Sequence, residues 1–328
     1  AAGMKRPTDT PEIVFLEQET MGPSVDLFRP SLPHRWTSYD KTAPEALVDR
    51  LAGAEIAVVN KARIGADALQ SLPDLKFIAV AATGYDNIDI HACRARGITV
   101  SNVRDYAIDT VPEHVFALIL ALSKNLIGYR QGVIAGKWQE SGQFCYFSHD
   151  IRALRDARLA IFGGGAIGRA VGRVGAAFGI DVVFAGRKGQ TTAPQKPYIA
   201  FEEAIETADV LSVHAPLNHE TRDLIGRPEF ERMTRRPIII NCGRGGLINE
   251  QALVHALENG LVAGAGIDVL TREPPGDDNP LLAVAARDDV IITPHIAWAS
   301  NAARQEVWRQ VVEAIEAFAA GSPVRVLT

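Results

Sequence analysis

A glycine motif directly after an apolar run is the feature that most constrains the fold of this chain. Residues 163–168 read Gly-Gly-Gly-Ala-Ile-Gly, which is a GxGxxG pattern. The apolar run 159–162 precedes the motif, and a helix-like stretch over residues 169–178 follows it. A strand, a glycine-rich turn and a helix in this order are typical of a dinucleotide-binding βαβ unit. The pattern predicts such a unit, the alternative being a glycine-rich turn in another kind of α/β protein.

Each glycine of the motif has its own expected role. Gly163 permits the tight turn, Gly165 lets a pyrophosphate approach the backbone, and Gly168 allows close packing of helix on strand. The free N–H groups at the start of the helix, which include those of Ala166 and Ile167, hold the phosphate charge.

Short β-branched apolar runs alternate with helical stretches rich in alanine and leucine along the chain. Buried parallel strands read as continuous apolar runs, and this alternation predicts right-handed α/β units. The predicted strands fall into two groups, residues 13–16, 56–60, 77–81 and 98–100, and then 159–162, 181–184, 210–213, 238–241, 265–269 and 290–292. We therefore predict two α/β domains, each with a doubly wound parallel sheet.

Two long helical patterns set the expected domain boundaries. One covers about residues 110–130, with Thr110 as a candidate N-cap, and links the two strand groups. The other covers about residues 301–320, and we expect it to pack back on the first domain. The predicted domains are residues 4–105 plus 298–328, and residues 106–297.

Composition excludes several classes of protein. The chain has 328 residues, 47% of them hydrophobic, and 34 basic against 39 acidic side chains give a net charge of −5. This balance argues against a disordered chain and against a nucleic-acid binder, which needs a basic face. No apolar run reaches about 18 residues, so we expect no membrane span. The most apolar stretch, residues 115–122, suits a buried helix.

The cysteines Cys93, Cys145 and Cys242 lie far apart and show no spacing that indicates a metal site. Their odd number leaves at least one thiol unpaired, so we expect reduced cysteines, a cytoplasmic location and no bound metal. Residues 1–3 are interpreted as a cloning remnant before Met4, the expected native start.

The turn after the strand 181–184 favours NADP(H) over NAD(H). In an NAD site an acidic residue about 20 positions after the glycine motif accepts the ribose hydroxyls. Here Gly186 takes that place, and Arg187 and Lys188 follow at once. Two cations without a carboxylate suit a 2′-phosphate. The alternative is a solvated basic turn without a role in cofactor binding.

Polar residues follow several predicted strands of the second group. Ligands of open α/β sheets bind beyond the carboxyl ends of the strands, so these residues are candidates for one site. Beside a cofactor, the candidates are the segments His214-Ala215-Pro216 and Cys242-Gly243 and the residue Asp268; for catalysis, they are Arg244, Glu273 and His295.

The catalytic candidates suit the reversible reduction of a 2-oxo acid to a 2-hydroxy acid. A guanidinium such as that of Arg244 binds a carboxylate bidentately and polarises the adjacent carbonyl. The imidazole of His295 delivers a proton to the carbonyl oxygen as a nicotinamide delivers hydride to carbon. Glu273 beside the imidazole orients the ring and favours its protonated form.

Several spaced motifs make the chain similar to the D-isomer-specific 2-hydroxyacid dehydrogenase family over essentially its whole length. The motifs are, in chain order, Ala82-Thr83-Gly84-Tyr85-Asp86-Asn87-Ile88-Asp89, Thr110-Val111-Pro112-Glu113-His114, the GxGxxG, Asn241-Cys242-Gly243-Arg244-Gly245, residues 268–274 and Thr293-Pro294-His295. The resemblance implies a flavodoxin-like substrate domain, an inserted Rossmann nucleotide-binding domain and, usually, a homodimer.

The resemblance also implies roles for individual residues. It makes Arg244, Glu273 and His295 catalytic, with Arg244 and His295 in contact with the substrate. It places Val111 at the cofactor, and it makes the substrate-carboxylate loop from Ala82, Thr83 and Gly84.

Within the family, the chain resembles glycerate dehydrogenases, also called hydroxypyruvate reductases. The shared features are Asn60-Lys61, taken as substrate-binding, residues 144–147 (Phe-Cys-Tyr-Phe) and residues 185–189 (Ala-Gly-Arg-Lys-Gly). The resemblance implies hydroxypyruvate or glyoxylate as substrate. It also implies a dimer arm around residues 138–149, which is otherwise a long surface loop.

Other functions stay open. Formate dehydrogenases of this family pair the histidine with glutamine, so Glu273 weakens that interpretation. Phosphoglycerate dehydrogenases often carry a C-terminal regulatory domain, for which this sequence has no room, although short forms exist. A different class is a nucleotide-sensing binding protein, similar to the co-repressors that share the fold, which would keep the cofactor site without turnover.

Overall fold

The chain folds into two compact units, each built around one parallel β-sheet. The computed structural model describes residues 5–190 and 194–328; the expected native start at Met4 lies outside these ranges. Unit 1 extends to Tyr106 and includes Ala299–Thr328, and unit 2 is the intervening segment Ala107–Trp298. The predicted α/β class with two parallel sheets is confirmed.

Unit 1 has a five-stranded sheet. Its strands are β1 (Glu12–Phe15), β2 (Arg35–Ser38), β3 (Ile56–Val59), β4 (Phe77–Val80) and β5 (Thr99–Ser101). Their order, β2-β1-β3-β4-β5, is the flavodoxin-like arrangement that the sequence predicts.

Unit 2 has a seven-stranded sheet. Its strands are β6 (Arg158–Phe162), β7 (Asp181–Ala185), β8 (Tyr198–Ile199), β9 (Val210–Val213), β10 (Ile238–Asn241), β11 (Gly264–Ile267) and β12 (Val290–Ile292). Their order is β12-β11-β10-β9-β6-β7-β8. This is the doubly wound order of dinucleotide-binding sheets with one strand added at the β12 edge, and it reverses direction between β6 and β9.

Twelve helices occur within the described residues. They are α1 (Leu47–Leu51), α2 (Ala66–Gln70), α3 (Ile90–Ala95), α4 (Thr110–Ser123), α5 (Leu126–Ile134), α6 (Lys137–Ser141), α7 (Ala166–Ala177), α8 (Phe201–Thr207), α9 (Arg227–Arg232), α10 (Glu250–Glu258), α11 (Pro280–Ala283) and α12 (Asn301–Ala319). Short 3₁₀ turns cover Gln18–Met21 and Pro44–Ala46.

Helix α12 completes the core of unit 1. Trp308 stacks on Phe15 of β1 with ring centroids 5.2 Å apart, and Phe318 stacks on Phe77 of β4 at 4.5 Å. All four side chains are fully buried. The last helix therefore packs on the first sheet, as expected, and unit 1 is discontinuous in sequence.

Two strands of the structure were not predicted, and both are edge strands. β2 pairs only with β1, and β8 pairs only with β7, among the described strands. Neither strand carries a continuous apolar run of the kind that predicted the other strands. The sequences Arg-Trp-Thr-Ser and Tyr-Ile accordingly hold no fully buried residue.

The single helix predicted over residues 110–130 is wrong, because the helix breaks at Asn125. α4 ends at Ser123 and α5 begins at Leu126, with an angle of 56° between them. Asn125 has a φ of +48°, which asparagine tolerates better than most residues, and its side-chain amide donates to the Asp150 carbonyl. The prediction of Thr110 as N-cap is also wrong: that position is Asp109, and Thr110 is the first helical residue.

Within residues 5–190 and 194–328, no single helix has the length and apolarity of a bilayer span. The bent pair α4 and α5 passes that test together, by length and composition only.

Candidate active site and cofactor site

The candidate residues of unit 2 lie in loops along one edge of its sheet. All seven strands are parallel, so their carboxyl ends share an edge. Across the sheet, His295 follows β12, Glu273 follows β11, Arg244 follows β10, His214 follows β9, the glycine motif follows β6, and Gly186 follows β7. The catalytic candidates therefore leave three neighbouring strands, and the phosphate candidates leave the strands at the switch point.

The glycine motif has the geometry of a phosphate-binding turn. Gly163 has a φ of +116°, and a Cβ there would lie 2.5 Å from the His214 carbonyl carbon. A Cβ on Gly168 would lie 1.9 Å from the Gly163 oxygen. A Cβ on Gly165 meets nothing within 4 Å, so this position faces open space at the N-terminus of α7. Free backbone N–H groups beside this space, including those of Ala166 and Ile167, fit a pyrophosphate.

His214 and Cys242 are uncharged groups beside this turn. The His214 Nε2 lies 2.7 Å from the Ser212 hydroxyl, and burial lowers the pKa of His214 to about 4. Burial also raises the pKa of the Cys242 thiol, which is 8% exposed. Ala215 and Pro216 follow His214 and are partly or fully exposed. At neutral pH the end of β9 therefore adds no charge to a cofactor site.

Val111, Ile167 and Cys242 come together in one apolar cluster of unit 2. Val111 lies in α4 and is 8% exposed, and Ile167 lies in the first turn of α7. Three candidates from distant parts of the sequence thus form a common apolar wall.

The loop that carries Arg244 packs on the loop after the neighbouring strand. Gly243 N–H donates to the Asn241 side-chain oxygen, and the Asn241 amide donates to the Arg244 carbonyl. A Cβ on Gly245 would lie 1.9 Å from the Leu270 carbonyl oxygen, so only glycine permits this close packing. The Arg244 side chain is exposed, with one contact to the Gly243 carbonyl at 2.9 Å.

Glu273 and His295 form a hydrogen-bonded pair. The His295 Nδ1 lies 2.5 Å from the Glu273 Oε2, and the other carboxylate oxygen accepts the Leu270 N–H at 3.0 Å. About a third of each side chain is exposed. This geometry fixes the ring through Nδ1 and leaves Nε2 for another partner.

The three cofactor candidates after β7 do not share one orientation. Gly186 N–H donates to the Ile199 carbonyl at 2.8 Å, and Arg187 is exposed. Lys188 forms an ion pair with Glu229, with 2.5 Å between Nζ and Oε1.

Comparison with known proteins agrees with this arrangement. The family model described as "D-isomer specific 2-hydroxyacid dehydrogenase, NAD binding domain" matches residues 116–297. The chain is 43% identical to the glycerate dehydrogenase of Methylorubrum extorquens over 319 residues, which cover 97% of this chain and 99% of that protein. It is 33% identical to the hydroxypyruvate reductase of Blautia hydrogenotrophica over 294 residues, which cover 88% and 90% of the two chains.

The chain belongs to the D-isomer specific 2-hydroxyacid dehydrogenase family. It is an oxidoreductase that acts on 2-hydroxy acids, and it has the family's NAD-binding domain. Among solved structures, the acyclic imino acid reductase Bsp5 in complex with NADPH and D-Arg has a similar fold. Its TM-score is 0.78 at 26% identity, covering 97% of this chain and 100% of that chain.

The Asp268 carboxylate has a structural role in this dehydrogenase that the sequence did not suggest. Its carboxylate is 2% exposed and accepts hydrogen bonds from the Thr293 hydroxyl at 2.6 Å and from the N–H groups of Ile296 and Ala297 at 2.9 Å. His295 lies between these donors with a φ of +54°. Asp268 therefore holds the histidine loop in a backbone conformation that is rare for a non-glycine residue.

His114 extends the Asp268 network to α4. Its Nε2 lies 3.0 Å from the Thr293 hydroxyl and 3.8 Å from the Asp268 Oδ1. The signal for this role was present in the sequence, since His114 ends one family motif and Thr293 begins another.

In unit 1, Glu17 organises the loop of the candidates Asn60 and Lys61. The Glu17 carboxylate is buried and accepts the backbone N–H groups of Asn60, Lys61 and Ala62 at 2.7–3.0 Å. The Asn87 side-chain amide donates to the Asn60 and Ala62 carbonyls. Sequence reasoning missed Glu17, although a carboxylate directly after a predicted strand is a signal that could have found it.

The candidates Ala82, Thr83 and Gly84 follow β4 in unit 1. The Thr83 hydroxyl donates to the Val103 carbonyl at 2.8 Å, and the Asn102 amide donates to the Thr83 carbonyl at 2.9 Å. Ala82 is buried, whereas Thr83 is exposed. The side-chain hydroxyl is thus used within the unit, and the exposed part of the loop is mainly backbone.

Proposed function

We propose that this protein reduces hydroxypyruvate or glyoxylate with NADPH, giving D-glycerate or glycolate. The observation that carries the proposal is the Glu273–His295 pair, set at neighbouring strand ends with the Arg244 loop. The 43% identity to a glycerate dehydrogenase over nearly the whole chain supports this choice of substrates.

Each catalytic candidate has a separate task in the proposed reaction. The Arg244 guanidinium binds the substrate carboxylate and polarises the 2-oxo group. His295 donates the proton on Nε2 to the carbonyl oxygen, since its Nδ1 is held by Glu273. Glu273 stabilises the protonated imidazole by its negative charge at 2.5 Å. Asn60, Lys61 and residues 82–84 of unit 1 bind the substrate.

A bound nicotinamide cofactor supplies the hydride for the carbonyl carbon. Gly163, Gly165 and Gly168, with the N–H groups of Ala166 and Ile167, are the proposed pyrophosphate site. We place the remaining cofactor contacts on Val111, His214, Ala215, Pro216, Cys242, Gly243 and Asp268. Gly186 favours NADP(H), because no carboxylate at this position repels a 2′-phosphate.

We also propose that the protein is cytoplasmic and forms a homodimer. Its three cysteines are free thiols, two of them buried, which suits a reducing compartment. Seven large apolar side chains in the segment after α4 are exposed and suit a second copy of the chain: Leu126, Val133, Ile134, Trp138, Phe144, Phe147 and Ile151.

The deciding experiment follows nicotinamide absorbance with hydroxypyruvate and glyoxylate, using NADPH and NADH at matched concentrations. We expect turnover with a preference for NADPH. His295→Ala should lower kcat by about 10²–10⁴-fold, because it removes the proton donor. His91→Ala, which changes an exposed histidine of α3, is the control and should leave kcat unchanged.

The possible results separate the parts of the proposal. A preference for NADH keeps the reductase and rejects the cofactor assignment. Turnover only with another 2-oxo acid, such as the oxidised form of phosphoglycerate, rejects the substrate. Near-normal turnover by His295→Ala contradicts the proton-donor role.

A further inference from the structure

The Lys188 ammonium group is bound by residues of its own unit. Its Nζ lies 2.5 Å from the Glu229 Oε1, 3.3 Å from the Leu224 carbonyl oxygen and 5.6 Å from the centroid of the Phe201 ring. The Glu229 and Leu224 oxygens can accept two of the three ammonium donors, while the side chain stays 43% exposed. With Glu229 and His255, Lys188 lines a cavity of about 690 Å³ between α9 and α10.

Glu229 is a partner that Lys188 cannot leave without cost. Its side chain is 8% exposed, and its second carboxylate oxygen accepts the Gly226 N–H at 2.9 Å. A buried carboxylate without a counter-charge is strongly unfavourable, so the pair persists when a ligand binds nearby. Because the opposite charge lies 2.5 Å away, Lys188 adds little positive field beyond the pair.

Arg187 differs from its neighbour in each of these respects. It is exposed, and within residues 5–190 and 194–328 its side chain has neither an ion pair nor a hydrogen bond. It begins a turn that is closed by the Gln190 N–H to the Arg187 carbonyl at 3.2 Å, with Gly189 at a φ of +76°. Lys188 is the second residue of this turn, so its ion pair ties the turn to α9.

We propose that Arg187 alone supplies the cation for the cofactor 2′-phosphate, and that Lys188, held by Glu229, is a positioning residue that fixes the turn carrying Arg187. The proposal rests on the NADP(H) assignment above. It changes the interpretation of the basic dipeptide, since only one of its two charges faces the ligand. The specificity determinant then includes Glu229, which lies far from Arg187 in sequence.

The test is a double-mutant cycle on cofactor binding. NADPH and NADH are titrated separately into the wild type, Arg187→Gln, Lys188→Gln and the double variant, with nicotinamide fluorescence giving each Kd. Both side chains are exposed, Lys188 by 43%, so these variants should fold. Glu229→Gln is a fifth variant that removes the partner of Lys188.

We expect Arg187→Gln to raise the NADPH Kd about tenfold or more, because a charge-assisted hydrogen bond to phosphate is lost, and to leave the NADH Kd within about twofold. Lys188→Gln should raise the NADPH Kd several-fold in the wild type and have no effect in the Arg187→Gln background. Glu229→Gln should raise the NADPH Kd as much as Lys188→Gln does. Lys188→Arg keeps the ion pair and should bind NADPH as the wild type does.

Three results would overturn the proposal. An equal effect of Lys188→Gln with and without Arg187 would show that Lys188 binds the phosphate itself. Tighter NADPH binding by Glu229→Gln would show the same, because the lysine would be freed. No effect of either single substitution on NADPH would remove both residues from the site. A wild type that prefers NADH, while Arg187→Gln still weakens NADPH selectively, rejects only the NADP(H) assignment.

Discussion

Glu273 binds one nitrogen of the His295 ring and leaves the other free for a substrate oxygen. The carboxylate is itself held by the Leu270 N–H, and the His295 backbone is held by the Asp268 loop. The reacting group is therefore positioned through its side chain and its backbone. This preorganisation matters because a proton donor must lie within hydrogen-bond reach of the atom that it protonates.

The substitution Glu273→Gln tests the negative charge of Glu273 separately from its role in orienting the His295 ring. The amide keeps the size of the side chain but removes the negative charge beside the imidazole. We expect kcat for 2-oxo acid reduction to fall by about tenfold or more, because the charge that stabilises the imidazolium is lost. Glu258→Gln, at the exposed C-terminal end of α10 in the same unit, is the matched control. A kcat close to that of the wild type would contradict the charge role.

His214 should make stability depend on pH. Burial lowers its pKa to about 4 from 6.5, so the unfolded chain takes up a proton at a higher pH than the folded chain does. Stability is then lost as pH falls from about 6.5 toward 4. His214→Gln has no titrating group at this position and does not lose this stability. When pH is lowered from 7 to 5, its free energy of unfolding should therefore rise by about 2 kcal/mol relative to that of the wild type. Urea denaturation at both pH values measures the difference, and a constant difference would exclude this role.

The turn between β6 and α7 shows how an element combines structural and ligand-binding positions. Gly163 and Gly168 meet backbone atoms at close range, whereas Gly165 faces open space. One sequence motif thus contains two glycines required by the fold and a third, Gly165, whose proposed role is to contact the pyrophosphate.

Two alanine substitutions should separate these requirements. Gly165→Ala should leave Tm within about 2 °C and abolish cofactor binding, because its Cβ enters only the space of the pyrophosphate. Gly168→Ala should lower Tm by several degrees, because its Cβ lies 1.9 Å from the Gly163 oxygen. Thermal unfolding and NADPH titration measure both effects. A Tm loss for Gly165→Ala equal to that for Gly168→Ala would contradict the assignment.

On the scale of the whole molecule, exposed apolar surface is concentrated in one segment of unit 2. Phe144 is 89% exposed and Phe147 is 75% exposed. Aromatic side chains bury about 150–250 Å² each, so leaving two of them in water is unfavourable. We propose that a second copy of the chain packs against these side chains in a dimer.

The oligomeric state tests this dimer interface directly. Phe144→Glu with Phe147→Glu should convert a dimer into a monomer in sedimentation velocity, because charges would be buried at the interface. Leu282→Glu, at a 38% exposed leucine outside the segment, should leave the dimer intact. A monomeric wild type, or a dimer in the double variant, would contradict the proposed interface.

The sequence alone determined both sheets, most of their strands, the glycine turn between β6 and α7 and the catalytic candidates after three strand ends. These features follow from patterns of consecutive residues, because buried parallel strands need continuous apolar runs and a tight turn needs glycine at set positions.

Only the tertiary structure decided the partners of these residues. The edge strands β2 and β8 lack an apolar signal, and the break at Asn125 depends on a contact with Asp150. The burial of Glu17 under the Asn60 loop, the Asp268 network and the Lys188–Glu229 pair each join residues far apart in sequence. The attraction between a lysine and a charged ligand depends on the distance from the lysine to its counter-ion and on the burial of both groups. Neither quantity can be derived from the residues next to the lysine in sequence.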